Sequence, residues 1–182
     1  MKMSAVKLIS MLSLSAMIVG AAEPKATRAA LLPPADRKMA PAFRLSAASG
    51  KMVRTQSFHK KVVLLNFWAT ECGGCVAEIP YFVEFDQAYR SKGLAVVGVS
   101  LDIMYEDLKN ADEGWRRVKP FVQKHNVNYS VLMGDDPVSK VYDIHAMPAT
   151  YLIDKRGRVA ATYIGVVDKG DVESNIKALL RE

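Results

Sequence analysis

Cysteine is scarce in this chain, with two among 182 residues. That excludes a secreted miniprotein stapled by several disulfides, and any four-thiolate zinc site built from this chain alone. Whatever cysteine chemistry exists rests on one pair. Long apolar runs are also missing. The stretch Leu8 to Val19 is broken by Ser10, Ser13 and Ser15 and is shorter than the roughly 20 residues that span a bilayer. Basic charge is moderate: the net charge is +6, and +4 once Lys2 and Lys7 at the N-terminus are set aside. It is scattered over Lys60-Lys61, Arg116-Arg117 and Lys155-Arg156-Gly157-Arg158, without the basic and aromatic interleaving of a nucleic-acid groove. These clusters read as solvated faces, and nucleic acid is not an expected partner. Half of the residues are apolar and 24% are charged, which fits one globular domain with a sizeable core.

Residues 1–22 combine a short basic start, the apolar stretch and the small residues Gly20-Ala21-Ala22, the three regions of a signal peptide. Cleavage after Ala22 leaves Glu23 as the mature start. An uncleaved anchor is the alternative, in which case membrane contact is made through this segment only. Export to a periplasm or its equivalent puts the two thiols outside the reducing cytosol, where a pair either locks as a disulfide or is kept reduced by a dedicated electron supply.

Residues 23–40, rich in Ala, Pro and mixed charge, show no apolar period and read as a flexible leader. The domain is expected over 41–182. Phe43 to Leu45 and Met52 to Val53 flank a turn-like break and suggest a hairpin. Val62 to Phe67 is a continuous β-branched and aliphatic run, expected for a central strand buried on both faces. Ala77 to Tyr89 has helical spacing, with Pro80 expected to kink it near its start. Leu94 to Leu101 is a second buried strand, so the order is a βαβ unit with a parallel pair. Beyond it, Trp115, Val118, Phe121 and Val122 mark an amphipathic helix interrupted by Pro120, Tyr129 to Met133 a short strand, and Pro137 to Tyr142 a short helix. Ala149 to Asp154 and Val159 to Ile164 form a hairpin, and a final helix with Asp171 as N-cap carries Val172, Ile176, Leu179 and Leu180 on one stripe. The fold class is α/β: βαβ, an inserted helix and strand, then ββα.

Directly after the first buried strand comes Asn66-Phe67-Trp68-Ala69-Thr70-Glu71-Cys72-Gly73-Gly74-Cys75, with a helix beginning at the cysteines. At a helix N-terminus the free N–H groups and the macrodipole stabilise a thiolate, the species that attacks disulfides. The first cysteine points outward, and the second lies one turn inward, within reach to resolve a mixed disulfide. A structural staple is the bland alternative, but so short a loop contributes only about 2 kcal/mol. Metal binding is another, for which two thiolates supply half a tetrahedral site.

From about Ala40 to Leu180 the chain resembles the thioredoxin superfamily, and more closely its exported TlpA/ResA-like thiol-disulfide oxidoreductases. The resemblance is carried by Leu65 to Thr70, by Cys72-Gly73-Gly74-Cys75, by Glu78 and Pro80, and by Met147-Pro148-Ala149-Thr150-Tyr151-Leu152-Ile153-Asp154. It implies a thioredoxin-like fold and a cis peptide before Pro148. It also implies an extended substrate paired to the backbone at Met147, and a redox-active Cys72–Cys75 disulfide with Cys72 as nucleophile and Cys75 as resolving thiol. No cofactor is implied. The implied partners are protein disulfides or thiols, such as haem-attachment cysteines of apocytochrome c, and a membrane thiol carrier that supplies electrons.

Several positions depart from the family pattern. Glu71 stands where an aromatic residue is common, and Gly74 where proline is common. A bare carboxylate roughly 7 Å from the Cys72 sulfur, at an effective dielectric of about 40, disfavours the thiolate by about 1 kcal/mol and makes the pair more reducing. Thioredoxin's buried aspartate is replaced by Asn66, and Glu78, as in ResA-like members, supplies a carboxylate one turn beyond Cys75 to relay its proton. Trp68 is expected as a wall of the substrate surface. His145 enters only the alternative reading, a soft-metal (copper) chaperone using Cys72 and Cys75 with His145. A thiol peroxidase is disfavoured, because the threonine lies two residues before Cys72 and the proline expected further upstream is missing.

Overall fold

The computed structural model describes residues 26–182; the segment expected as a signal peptide, residues 1–22, and the first residues of the expected leader lie outside them. Among the described residues no helix is long and apolar enough to cross a membrane. Seven strands form one mixed sheet: β1 (Arg44–Ala47), β2 (Met52–Arg54), β3 (Val62–Trp68), β4 (Leu94–Ser100), β5 (Ser130–Met133), β6 (Ala149–Ile153) and β7 (Val159–Ile164). Their order is β2-β1-β5-β4-β3-β6-β7. The pairs β3–β4 and β4–β5 are parallel, and β3–β6 and β6–β7 antiparallel.

Every residue of β3 is buried, as a run apolar at every position but Asn66 requires of a strand covered on both faces. Alternation then divides the core. Val62 and Leu64 pack with Phe82, Phe85, Ile176 and Leu179 on one face, while Val63, Leu65 and Phe67 pack with Phe43, Leu45 and Tyr142 on the other. The long helix α1 (Gly73–Tyr89) starts at the cysteines, earlier than the apolar spacing from Ala77 suggests, and Pro80 lies inside it. The short α2 (Asp102–Tyr105) precedes α3 (Ala111–Lys124), which runs through Pro120 without interruption. Helix α4 is Asp136–Val141 and α5 is Lys169–Arg181.

Two further expectations are corrected. The N-cap of α5 is Asp168, whose carboxylate accepts from Asp171 N at 2.9 Å. Asp171 sits in the first turn, and its Oδ2 accepts from Ala29 N and from the Tyr163 hydroxyl. The leader, read as flexible over 23–40, is from residue 26 onward a strap laid along the outer edge of β7. Thr27 bridges Val167, Leu32 N donates to Ala160 O, Val159 N donates to Lys38 O, and Ala40 N donates to Gly157 O. Backbone pairing of this kind needs no apolar period, and it covers hydrogen-bonding groups that an edge strand leaves open. Arg37 pins the strap's far end: its side chain is 2% exposed and bonds Asp154 at 3.2 Å and Glu182 at 2.6 Å.

Candidate active site

Strand β3 ends at Trp68, and the chain turns through Thr70 into Cys72. That turn is held by Asp102, fully buried at the start of α2. Its Oδ1 accepts from Thr70 N at 3.1 Å and from the Thr70 hydroxyl, and its Oδ2 accepts from the Ser100 hydroxyl at 2.8 Å. One carboxylate therefore ties the end of β4 to the loop that presents the cysteines. This tie leaves no period in the sequence; its visible signal is an acid placed immediately after the buried run Leu94 to Leu101.

Cys72 is the N-cap of α1, and its Sγ accepts from Cys75 N at 3.3 Å. The two cysteines are joined as a disulfide. Cys75 is 2% exposed and Cys72 8%, so both are largely covered. Cys72, however, opens onto a groove of about 280 Å³ whose walls include Leu101, Met104, Tyr105, Ile144 and Met147. Met104 and Tyr105, on α2, are exposed large apolar residues that sequence reading did not single out, because a four-residue helix has too few positions to show a period.

The Met147–Pro148 peptide is cis. Pro148 O accepts from Gly165 N at 2.8 Å. A Cβ on Gly74 would come within 3.0 Å of Val166 Cγ2 and 3.4 Å of Pro148 Cδ. Glycine at 74 thus lets Val166 and the cis proline close against the start of α1.

Glu78 is fully buried one turn after Cys75, so both side chains lie on one face of α1. Val167 N donates to Glu78 Oε1 at 2.7 Å, and Asn66 Nδ2 lies a long 3.5 Å from Oε2 while donating to the Thr150 hydroxyl at 3.0 Å. Burial dominates over these donors and pushes the Glu78 carboxyl from 4.5 up to about 8.

Of the remaining expected residues, Trp68 departs from its expected place. Trp68 is 2% exposed; it is an internal plate behind the cysteines, tilted against Phe121 at 5.2 Å between ring centroids, and not a surface wall. Its apolar neighbours on α3 draw it inward, and Nε1 is buried with no hydrogen-bond partner among the described residues. Glu71 is exposed but not bare. Its Oε1 lies 3.1 Å from Arg117 Nη1, and Arg117 Nη2 lies 3.4 Å from Glu106 Oε2. Arg117 offsets part of the carboxylate's repulsion of the thiolate, so the about 1 kcal/mol of a lone charge is an upper bound. His145 borders the same groove as Cys72, but its side chain is 82% exposed and turned to Asp143 Oδ1 at 2.6 Å. Among the described residues no three His, Cys, Asp or Glu side chains converge as a metal-ligand set, so the copper reading has no third ligand from His145.

The profile of the AhpC/TSA family matches residues 37–162. The thiol-disulfide oxidoreductase ResA of Bacillus thuringiensis subsp. konkukian is 31% identical over 143 residues, covering 78% of this chain and 77% of that protein. Among solved structures, a thiol:disulfide interchange protein of the thioredoxin family from Chlorobium tepidum is 25% identical with a TM-score of 0.69, covering 81% of this chain and 99% of that one. The exposed lipoprotein thioredoxin Etrx1 of Streptococcus pneumoniae is 25% identical with a TM-score of 0.65, covering 76% and 100%.

Proposed function

Because the chain belongs to the AhpC/TSA family and is a thioredoxin-like thiol-disulfide oxidoreductase of the ResA type, we propose that it is an exported reductase of protein disulfides. The observation that carries this reading is one arrangement: a cysteine at a helix N-terminus, facing an open groove beside a cis proline, with a buried carboxyl beneath the second cysteine.

In the proposed cycle the Cys72 thiolate attacks one sulfur of the substrate disulfide. That S–S bond breaks, one substrate thiolate leaves, and a mixed disulfide forms on Cys72. Glu78, in its ionised form, accepts the Cys75 proton. The Cys75 thiolate then attacks the Cys72 sulfur, the second substrate thiolate leaves, and the Cys72–Cys75 disulfide remains with two electrons transferred. A carboxyl that titrates near neutrality suits a group that takes and returns this proton. The backbone at Met147 and the cis Pro148 hold the substrate chain, and Trp68 stiffens the loop from behind.

Reduction is favoured over oxidation by what surrounds the thiolate. Strong oxidants have strongly stabilised thiolates. Here the charged neighbour in sequence is Glu71, and its cation, Arg117, is shared with a second carboxylate. The proposed location, outside the cytoplasmic membrane, rests on the signal-like residues 1–22 and fits the exposed lipoprotein among the structural relatives. Electrons then come from a membrane thiol carrier.

Haem-attachment cysteines of apocytochrome c are the proposed substrate class. The reduced protein, mixed with an oxidised peptide carrying Cys-x-x-Cys-His, is expected to yield two peptide thiols per protein disulfide formed, as read by thiol alkylation and mass spectrometry. A peptide left oxidised while an unrelated disulfide is reduced overturns the substrate assignment.

A further inference from the structure

The segment Ile164 to Asp168, running from the end of β7 to the cap of α5, meets three parts of the site on its inner side. Gly165 N donates to Pro148 O at 2.8 Å. Val166 Cγ2 closes against Gly74, and Val167 N donates to Glu78 Oε1 at 2.7 Å. The outer side of the same segment is held by one residue of the strap. Thr27 N donates to Val166 O at 2.6 Å, Asp168 N donates to Thr27 O at 2.8 Å, and the Thr27 hydroxyl donates to Ile164 O at 2.9 Å.

Successive peptide groups of an extended chain point to opposite sides. With Val166 O and Asp168 N both committed to Thr27, the Val167 N–H is turned the other way, toward the carboxylate. The strap is itself fastened next to this point, since Ala29 N donates to Asp171 Oδ2 at 3.1 Å and Asn175 Nδ2 donates to Ala29 O at 2.7 Å. The clamp is therefore built into the fold and is not a fraying end.

We propose that Thr27 is a positioning residue of the active site: by clamping the peptide groups on both sides of Val167 it aims the Val167 N–H at Glu78 and seats Val166 against Gly74. This rests on the reading of Glu78 as the proton acceptor for Cys75. Val167 N is the close donor to that carboxylate, and a donor to the charged form favours ionisation. Loosening the clamp makes Glu78 hold its proton more tightly, and the second step of the cycle then requires a higher pH. The other groups facing Glu78 do not supply this dependence. Asn66 on β3 and Thr150 on β6 are neutral. The Tyr129 phenol, just before β5, is kept protonated by burial first and by Glu78 second, and Asp86, two turns further along α1, is ion-paired with Arg90. Cys72 and Cys75 are the remaining titrating neighbours, and Cys72 is followed separately.

The test uses the full chain with two substitutions. Thr27→Pro removes the N–H and the hydroxyl; Thr27→Val removes the hydroxyl and keeps the branched shape. Single-turnover reduction of a small disulfide is followed from pH 6 to 10, resolving attack by Cys72 from resolution by Cys75. Thr27→Pro is expected to move the midpoint of the resolution step upward by about half a unit to one unit, a roughly three- to tenfold gain in proton affinity. Thr27→Val moves it less but in the same direction. Alkylation of Cys72 stays within about twofold of the unsubstituted protein, and on a Glu78→Gln background neither substitution shifts the profile. If Thr27→Pro does not fold, Thr27→Val decides: an unmoved midpoint overturns the proposal. A profile altered by Glu78→Gln but by neither Thr27 variant overturns the clamp alone. A profile indifferent to Glu78→Gln removes the proton-acceptor reading and the clamp with it.

Discussion

Replacing Cys75 with serine is expected to turn the protein into a trap that accumulates mixed disulfides with its substrates, while replacing Cys72 with serine yields none. The asymmetry follows from placement. Cys72 caps α1 with its sulfur at a free backbone N–H and opens onto the groove, whereas Cys75 is one turn deeper and buried. The first sulfur is the one a substrate reaches, and the second acts on the first from within the same helix turn. Holding two reacting groups together in this way is worth effective concentrations far above those of free thiols. Turnover in Cys75→Ser should therefore fall by on the order of a thousandfold or more, because release of the substrate then waits for an external thiol. Turnover in Cys72→Ser should fall as far, without a trapped intermediate. The check is non-reducing electrophoresis with mass spectrometry of the cross-linked species. Equal trapping by both variants contradicts the assignment.

Glu78→Gln is expected to slow catalysis and to stabilise the oxidised fold at the same time. A positioned general base contributes roughly 10²-fold or more, so the resolution step should slow by about that factor near pH 8 while attack by Cys72 is unchanged. The stability effect has a definite sign. Burial raises the Glu78 carboxyl from 4.5 to about 8. In the unfolded chain the proton leaves above about pH 4.5, but the folded protein keeps it until about pH 8. Glu78 thus weakens the fold progressively across that window, and the penalty is fully present only above it. Glutamine keeps the size and still accepts from Val167 N, but has no proton to lose. Chemical denaturation of the oxidised protein should show the variant more stable by about 3 kcal/mol at pH 7. The two proteins should converge below pH 4.5, the ordinary carboxyl value. A variant that is less stable at pH 7, or a difference that does not change with pH, contradicts a buried carboxyl of raised pKa.

The parts of this fold that could be read from the sequence are those in which one residue type repeats with one period. Strand β3 is legible because a strand covered on both faces is apolar at nearly every position, here all but Asn66, and the end of α5 because Val172, Ile176 and Leu179 return to one side of a helix. The cap of α5 lies three residues before Asp171, the cap the sequence suggests. Asp168 and Asp171 are equally good caps in isolation; Asp171 is instead engaged by Ala29 of the strap and by the Tyr163 hydroxyl, which leaves Asp168 as the cap. The strap itself was illegible because it is held by backbone bonds and by the buried Arg37, neither of which leaves an apolar pattern.

The candidate site shows the same division. The cysteine pair, the cis proline and Glu78 were visible as a local motif and a resemblance. The pairing of Glu71 with Arg117 joins residues 46 apart in sequence, and the tie of Thr70 to Asp102 joins residues 32 apart. The burial of Trp68 is not legible, because its position in a motif does not say on which side a neighbouring helix packs.

The reduction potential of the Cys72–Cys75 pair tests the central claim most directly. The thiolate is stabilised by one helix terminus and opposed by the acidic side of a shared ion pair, so the dithiol should be a good electron donor. Equilibration against redox buffers, with the two states separated by thiol alkylation, is expected to place the potential near thioredoxin's, at about −270 mV. A value near that of the strong periplasmic oxidants, about −120 mV, would contradict a reductase.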